Sequence, residues 1–196
     1  MLKKKKGFTL VELLIVIVVI GVLSAMMMLS STEAVSSAKV SNVINNMRNI
    51  KTATLEWYMD HIDYVFPDKD DQITYKYKFN NQAVKRLQNL ARNDPNEIKK
   101  YLNNGDNLSL NEGVGSTTAF TKAHGSGTYA VVDGTGGPSG GTLKEWYVVY
   151  SVPNDNRMKE KFAARAQSLE LLKNATEIYD KNAQYLYMKI IDFKNH

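Results

Sequence analysis

The chain contains no cysteine and only four prolines in its 196 residues. The lack of cysteine excludes disulfide bonds, a thiol nucleophile and any metal site with cysteine ligands. A domain of this size can still be stable without disulfides, because its core is large enough. Residues 30–60 also lack glycine and proline, the two residues that interrupt helices most strongly. This part of the chain can therefore form one uninterrupted helix.

The chain also has little net charge once its first residues are set apart. The formal charge is +5, but four of the 25 basic residues are Lys3–Lys6, which leaves 21 basic residues against 20 acidic ones. A near-neutral chain gives little support to nucleic-acid binding, which needs a basic patch. The four lysines instead indicate topology, because a basic segment before an apolar helix stays in the cytoplasm. The rest of the protein should then lie outside.

An apolar run follows the lysines. Residues 8–29 read FTLVELLIVIVVIGVLSAMMML, and Glu12 is the only charged residue among them. About 20 apolar residues suffice for a helix that spans a bilayer. A carboxylate in such a segment is costly, so it indicates a function by default. The alternative is that Glu12, near one end of the run, only extends to the membrane interface.

The residues around Glu12 resemble the class III signal of type IV pilins and pseudopilins. The match consists of the basic leader, then Gly7, Phe8 and Glu12 in this order and spacing. The resemblance implies that a prepilin peptidase cleaves between Gly7 and Phe8 and that Phe8 becomes an N-methylated terminus. It also implies that Glu12 acts in subunit assembly, by neutralising the terminal amine of a neighbouring subunit.

An ordinary secretory signal is the competing interpretation of the N-terminus. Such a signal has an apolar region of about 7–15 residues and a small-x-small cleavage site. The run here is longer, and Leu23-Ser24-Ala25 places leucine where a small residue is needed. The sequence therefore favours the class III signal.

The helical pattern continues beyond the apolar run. Semi-apolar or apolar residues recur every three or four positions, which predicts one buried helix face. They are Val40, Val43, Met47, Ile50, Thr54, Trp57 and Tyr58, and the opposite face carries Lys39, Asn42, Asn45, Arg48, Asn49 and Glu56. We predict one helix from about Thr9 to about Met59.

Two features depart from the family pattern. Many pilins close their C-terminal loop with a disulfide, which this chain cannot form. Relatives also often carry a proline about twenty residues into the mature chain, where this sequence has Leu29. A kink at that place is therefore not expected from proline, although Gly21 and Ser30-Ser31 remain weak points.

The patterns in the remaining residues predict a globular part that contains both strands and helices. Period-two patterns predict strands at 73–79, 128–133, 143–152 and 185–193, and the second and third should form a hairpin across the glycine-rich residues 134–141. Helices are predicted at 82–92, at 95–102 and from Asp155 to about residue 181, with a loop at 103–126. The last helix is an addition to the simplest pilin head.

Together these patterns predict an α+β fold with the ladle shape of type IV pilins. A long N-terminal α-helix, apolar in its first half, packs on a small antiparallel β-sheet head with additional helices. We assign residues 1–7 to the prepilin leader, 8–29 to the transmembrane and filament-core helix, 30–60 to its amphipathic half, and 61–196 to the globular head.

The sequence predicts no catalytic residue, no cofactor-binding residue and no metal site. His61, His124 and His196 have no metal-ligand spacing, and residues 123–127 lack the first glycine of a nucleophile elbow. Residues 125–130 match a loose dinucleotide-binding pattern, but they precede a strand instead of a helix. Asp68, Asp70 and Asp71 lack the calcium-loop spacing. The aromatic pairs at 57–58 and 146–147 are expected in the core.

We therefore expect a structural subunit of a type IV pilus or pseudopilus-like filament, not an enzyme. The subunit would sit in the cytoplasmic membrane with its N-terminus in the cytoplasm, then move into an extracellular or periplasmic filament of one or several pilins. Its partners would be the membrane, a prepilin peptidase and a pilus or secretion assembly platform; nucleic acid is expected only through a competence pilus. The alternative is a membrane-tethered extracellular binding module that does not polymerise.

Overall fold

The computed structural model of the protein describes residues 7–61, 98–102, 126–135, 138–142 and 144–192. Its longest element is helix α1 (Leu10–Asp60), which has 51 residues. At about 1.5 Å per residue this helix is about 77 Å long. The predicted single helix is confirmed, and it passes Leu29 without a break, as expected from the absence of glycine and proline between residues 30 and 60.

The two halves of α1 have different surroundings. The side chains of residues 8–28 are all exposed, whereas the second half is buried along one face. All seven residues of the predicted face, from Val40 to Tyr58, are at most 7% exposed. The six residues predicted for the opposite face are all exposed. Helical periodicity therefore located both faces of this half correctly.

A three-stranded antiparallel sheet packs against the second half of α1. Its strands are β1 (Tyr129–Asp133), β2 (Glu145–Ser151) and β3 (Tyr185–Asp192), in the order β1-β2-β3. The predicted hairpin is confirmed, with Val131 opposite Val148. The register between β2 and β3 shifts after Trp146, which pairs with Ile191 while Tyr147 pairs with Lys189. Such a bulge lets Ile190 be accommodated without a direct partner.

Both faces of the sheet are buried. One face joins α1 and the helix Asn156–Leu169 in the main core, where Trp57 and Trp146 have ring centroids 6.4 Å apart. The other face forms a second cluster around Tyr147, Val149 and Tyr187. Every residue of β2 is buried, in keeping with its nearly continuous apolar and aromatic sequence EWYVVYS. The four aromatic residues predicted for the core, at 57–58 and 146–147, all lie in it.

Helix α2 (Asn156–Leu169) crosses α1 at the end of the head nearest the apolar half. Asp155 caps it by accepting hydrogen bonds from the backbone N–H groups of Arg157 and Met158. Its buried residues are Met158, Phe162 and Ala166, which are spaced four apart and therefore share one face of the helix. An ion pair of 3.2 Å between Lys161 and Glu33 links the two helices.

The prediction that this helix extends to residue 181 is wrong. Glu170 adopts the left-handed conformation (φ 52°), and Leu171 N–H bonds back to Ala166 O, which ends the helix. Asn174 then accepts hydrogen bonds from the N–H groups of Thr176 and Glu177, a local turn that competes with helix. Leu172 pairs instead with β3 at Tyr187.

The predicted helix at 95–102 is also corrected within the described residues. Only a short 3-10 helix, Ile98–Tyr101, is present there, and its Ile98 side chain is buried beside α1. The strand predicted at 73–79, the helix at 82–92 and nearly all of the loop at 103–126 lie outside the described residues. So do residues 1–6 of the predicted leader.

Candidate assembly site at the start of the long helix

Helix α1 begins with a reciprocal pair of hydrogen bonds, a capping box. Thr9 is the N-cap residue, with extended backbone angles (φ −82°, ψ 153°), and its Oγ1 accepts a hydrogen bond from Glu12 N–H at 3.3 Å. In return, the Glu12 carboxylate accepts bonds from Thr9 N–H and from the Thr9 hydroxyl, both at 2.8 Å. This pairing satisfies N–H groups that a helix start otherwise leaves without partners, and it fixes where the helix begins.

The residues predicted for processing lie just before this cap. Gly7 and Phe8 are outside regular secondary structure, and the Phe8 side chain is 84% exposed. A Cβ atom added at Gly7 would meet no atom within 4 Å. The Gly7–Phe8 peptide bond is therefore accessible and is not held in helical hydrogen bonds, which suits attack by a peptidase.

The structure changes the expected environment of Glu12. In the sequence this carboxylate is the only charge in an apolar run, whereas in the folded chain it accepts two hydrogen bonds from Thr9. Thr9 was missed as a contributor to this site. The pattern threonine-x-x-glutamate just before an apolar run is a known capping-box signal, and Thr9-Leu10-Val11-Glu12 matches it. The carboxylate thus has hydrogen-bond donors within its own chain.

The surface that follows Glu12 is apolar on all sides. Each large hydrophobic residue from Leu10 to Met28 is at least 48% exposed. By length and composition, α1 is the one helix among the described residues that could cross a membrane. Residues 10–28 measure about 28 Å along the helix axis, close to the hydrocarbon thickness of a bilayer. This surface requires lipid or other apolar helices around it.

The part of the chain that the structure describes contains no cluster of side chains suited to bind a metal ion. No group of three or more His, Asp or Glu side chains there could hold a metal ion. His61 ends α1, where its ring stacks on Trp57 at a centroid distance of 4.8 Å. His124, His196 and the aspartates at 68, 70 and 71 lie outside the described residues.

One buried charge elsewhere has a structural explanation. Glu145 is 5% exposed, yet its carboxylate accepts bonds from Lys189 Nζ at 3.0 Å and from the Thr142 N–H and hydroxyl. Burial alone would raise the pKa of Glu145, but the bonds from Lys189 and Thr142 outweigh it and lower this pKa to about 2. The ionised carboxylate therefore fastens the hairpin loop to β3.

Comparison with known proteins gives one match. Residues 2–28 fit the family model described as the prokaryotic N-terminal methylation motif. This motif is the class III signal peptide, the hallmark of type IV pilins and pseudopilins. No curated protein sequence and no solved structure matches the chain. The motif includes Gly7, Phe8, Thr9 and Glu12, and it indicates a precursor of the pilin or pseudopilin kind.

Proposed function

We propose that the protein is a structural subunit of a filament of the type IV pilus or pseudopilus class. The observation that carries this proposal is the methylation motif at residues 2–28, placed on a helix half whose described side chains are all exposed. Before assembly the subunit is anchored in the cytoplasmic membrane by residues 8–29. Its N-terminus lies in the cytoplasm, and its head lies outside.

Processing comes first in this proposal. A prepilin peptidase cleaves the Gly7–Phe8 bond, removes residues 1–7 and leaves Phe8 as an N-methylated, positively charged terminus. The exposure of Phe8 and its position ahead of the Thr9 cap support this step.

Assembly then transfers the apolar half from lipid into a bundle of identical or related helices. In the bundle, the Glu12 carboxylate forms an ion pair with the positively charged Phe8 amine of a neighbouring subunit. Burying a charge without a partner in an apolar bundle costs several kcal/mol of desolvation free energy, so this ion pair favours one axial offset between neighbouring helices over others. The hydrogen bonds from Thr9 hold the carboxylate in place until the amine arrives. Because each contact is between different surfaces and does not close a ring, a filament results.

The alternative is a tethered binding module that uses the same helix only as an anchor. The amphipathic half of α1 does not distinguish a filament subunit from a tethered module, because its apolar face packs against the protein's own head in either case. The presence of the methylation motif favours the filament subunit, because an anchor alone needs neither a capped glutamate nor a processed terminus.

The experiment is mass analysis of the membrane-extracted protein, expressed with and without a prepilin peptidase. With the peptidase, the mature chain should begin at Phe8 and carry one added methyl group. The matched control is Gly7→Leu, which should stay uncleaved although nothing near Gly7 obstructs the larger side chain. A terminus that remains at Met1, or one at Met26, would contradict the proposal.

A further inference from the structure

The second half of α1 presents one exposed face that the described residues of the head do not cover. We call this the head-free face; it consists of the exposed residues Ala34, Ala38, Asn42, Asn45, Asn49, Thr52 and Glu56. Exposed Lys39 and Arg48 lie on either side of it. Most of the face is small or uncharged, so the few charged side chains on it dominate what it can bind.

The charges of this half fall into two groups. Glu33 is paired with Lys161 of the head, and Asp60 accepts a hydrogen bond from Tyr101 at 2.8 Å. Lys39, Arg48, Lys51 and Glu56, by contrast, make no ion pair or side-chain hydrogen bond within the described residues. Among these four, Arg48 and Glu56 are both exposed and carry opposite charges. They are eight residues apart, about 12 Å along the axis, which is too far for a bond within one helix.

The order of these charges matches the order at the helix start. In each case a cation lies nearer the N-terminus and a carboxylate farther along: Phe8 before Glu12, and Arg48 before Glu56. Arg48 and Glu56 are about 12 Å apart along the axis, and Phe8, which lies two residues before the helix begins, is at least about 6 Å from Glu12. Parallel helices side by side without a stagger would place amine beside amine and Arg48 beside Arg48, which is unfavourable.

A stagger of about 9 Å between neighbouring parallel helices relieves both conflicts. This shift, about six residues, leaves each cation within about 3 Å along the axis of a carboxylate of the adjacent helix. Arginine and glutamate side chains are long enough to bridge such a difference. One displacement therefore serves both charge pairs, although they are separated by about 36 residues of helix.

We propose that Arg48 of one subunit pairs with Glu56 of an adjacent copy of the same chain, across the head-free face. This inference rests on the proposed filament function and adds a second contact that sets the stagger between subunits. A second copy is the fitting occupant because a shared membrane anchor makes all copies parallel, and the stagger then brings Arg48 of one copy beside Glu56 of the next. Half-buried Lys51 is also near this height, but it is turned more towards the head.

Charge-reversal variants of the full chain, expressed as the only subunit with its assembly machinery, test the pair. Arg48→Glu and Glu56→Arg should each lower filament yield by about tenfold or more, because each places like charges together. The double variant Arg48→Glu/Glu56→Arg should restore most of the yield. The matched control is Lys39→Glu, on the same helix but about 25 Å from Glu56, which should assemble normally.

Cysteine pairs give a direct reading of the stagger, since the chain has no cysteine of its own. The variant Arg48→Cys/Glu56→Cys, treated with a short bis-maleimide, should give a ladder of covalent oligomers from filaments. Arg48→Cys alone and Lys39→Cys/Glu56→Cys should give no ladder. Near-ultraviolet circular dichroism should be unchanged in every variant, because all of these positions are exposed.

The outcomes separate this inference from the function on which it rests. If the wild-type chain forms no filaments, the proposed function itself fails. If the wild type assembles but Arg48→Glu behaves like Lys39→Glu, the double variant does not recover, or Lys51→Glu has the larger effect, then the pair is overturned. Cross-linking by Arg48→Cys alone would also overturn it, because that requires helices without a stagger.

Discussion

Replacing Glu12 tests whether its charge or its hydrogen bonds matter for assembly. The Glu12 carboxylate accepts two hydrogen bonds from Thr9, and a glutamine at this position keeps an oxygen that can accept them. Glu12→Gln should therefore leave the helix start of the single subunit intact. Glu12→Ala removes the cap, a loss of about 1 kcal/mol, typical of N-terminal capping interactions. Neither variant should impair membrane insertion, since both remove a charge from an apolar helix.

Assembly should respond differently from the single subunit. Without Glu12, in the proposed filament, the amine of a neighbour's Phe8 would enter the apolar bundle without a negative partner, at a cost of about 3–5 kcal/mol if it is fully desolvated. That cost corresponds to a loss of more than about a hundredfold in each contact. Glu12→Gln and Glu12→Ala should thus assemble equally poorly, although only Glu12→Ala disturbs the cap.

The assay is electron microscopy of sheared filaments, with immunoblots of the membrane pool to separate assembly from protein level. Each variant is expressed as the only subunit. Thr9→Val serves as the control, because it removes the capping hydroxyl and leaves the charge of Glu12; it should assemble far better than Glu12→Gln. Wild-type filament yield from Glu12→Gln would refute the charge argument and leave capping as the role of this residue.

Two further predictions concern the head, and both are read from near-ultraviolet circular dichroism of the full chain in mild detergent, since its two tryptophans lie in the core. Glu145→Gln should cost about 1–3 kcal/mol near neutral pH by weakening the bond from Lys189. The pKa of Glu145 is lowered in the folded state, so the ionised carboxylate contributes fully to the free energy of unfolding above its unfolded pKa of about 4.3, and this contribution is lost as the pH falls towards 2. Glu145→Gln should therefore make the free energy of unfolding less dependent on pH in this acid range. An unchanged pH dependence would contradict the role assigned to Glu145. Gly134→Ala should destabilise the hairpin by about 1–3 kcal/mol, because the added Cβ would lie 2.5 Å from the backbone N and O of Thr142. Ser139→Ala is the control and should have little effect, because Ser139 is exposed.

The long helix could be predicted from sequence because its determinants are local. The lack of glycine and proline between residues 30 and 60 let the helix continue beyond its apolar half, and the three-to-four spacing from Val40 to Tyr58 located its buried face. The capping box was equally local and was overlooked, although Thr9 and Glu12 have the required spacing.

Features that depend on distant contacts could not be predicted in the same way. Glu145 and Lys189 are 44 residues apart, and their pairing depends on the bulged register between β2 and β3. The end of α2 was misplaced for a related reason. Leu172 continues the apolar spacing of the helix, but the fold uses this side chain at the sheet, and the turn at Asn174 satisfies the backbone without a helix.

The most direct test of the filament assignment is the composition of filaments purified from cells that produce this protein at its natural level. Shearing, centrifugation and peptide mass analysis should recover this chain in the filament fraction, beginning at methylated Phe8, with residues 8–28 resistant to proteolysis in the bundle. Recovery of the processed chain only as monomers in the membrane fraction, with no filament formed when the assembly machinery is present, would contradict the account and favour the tethered binding module.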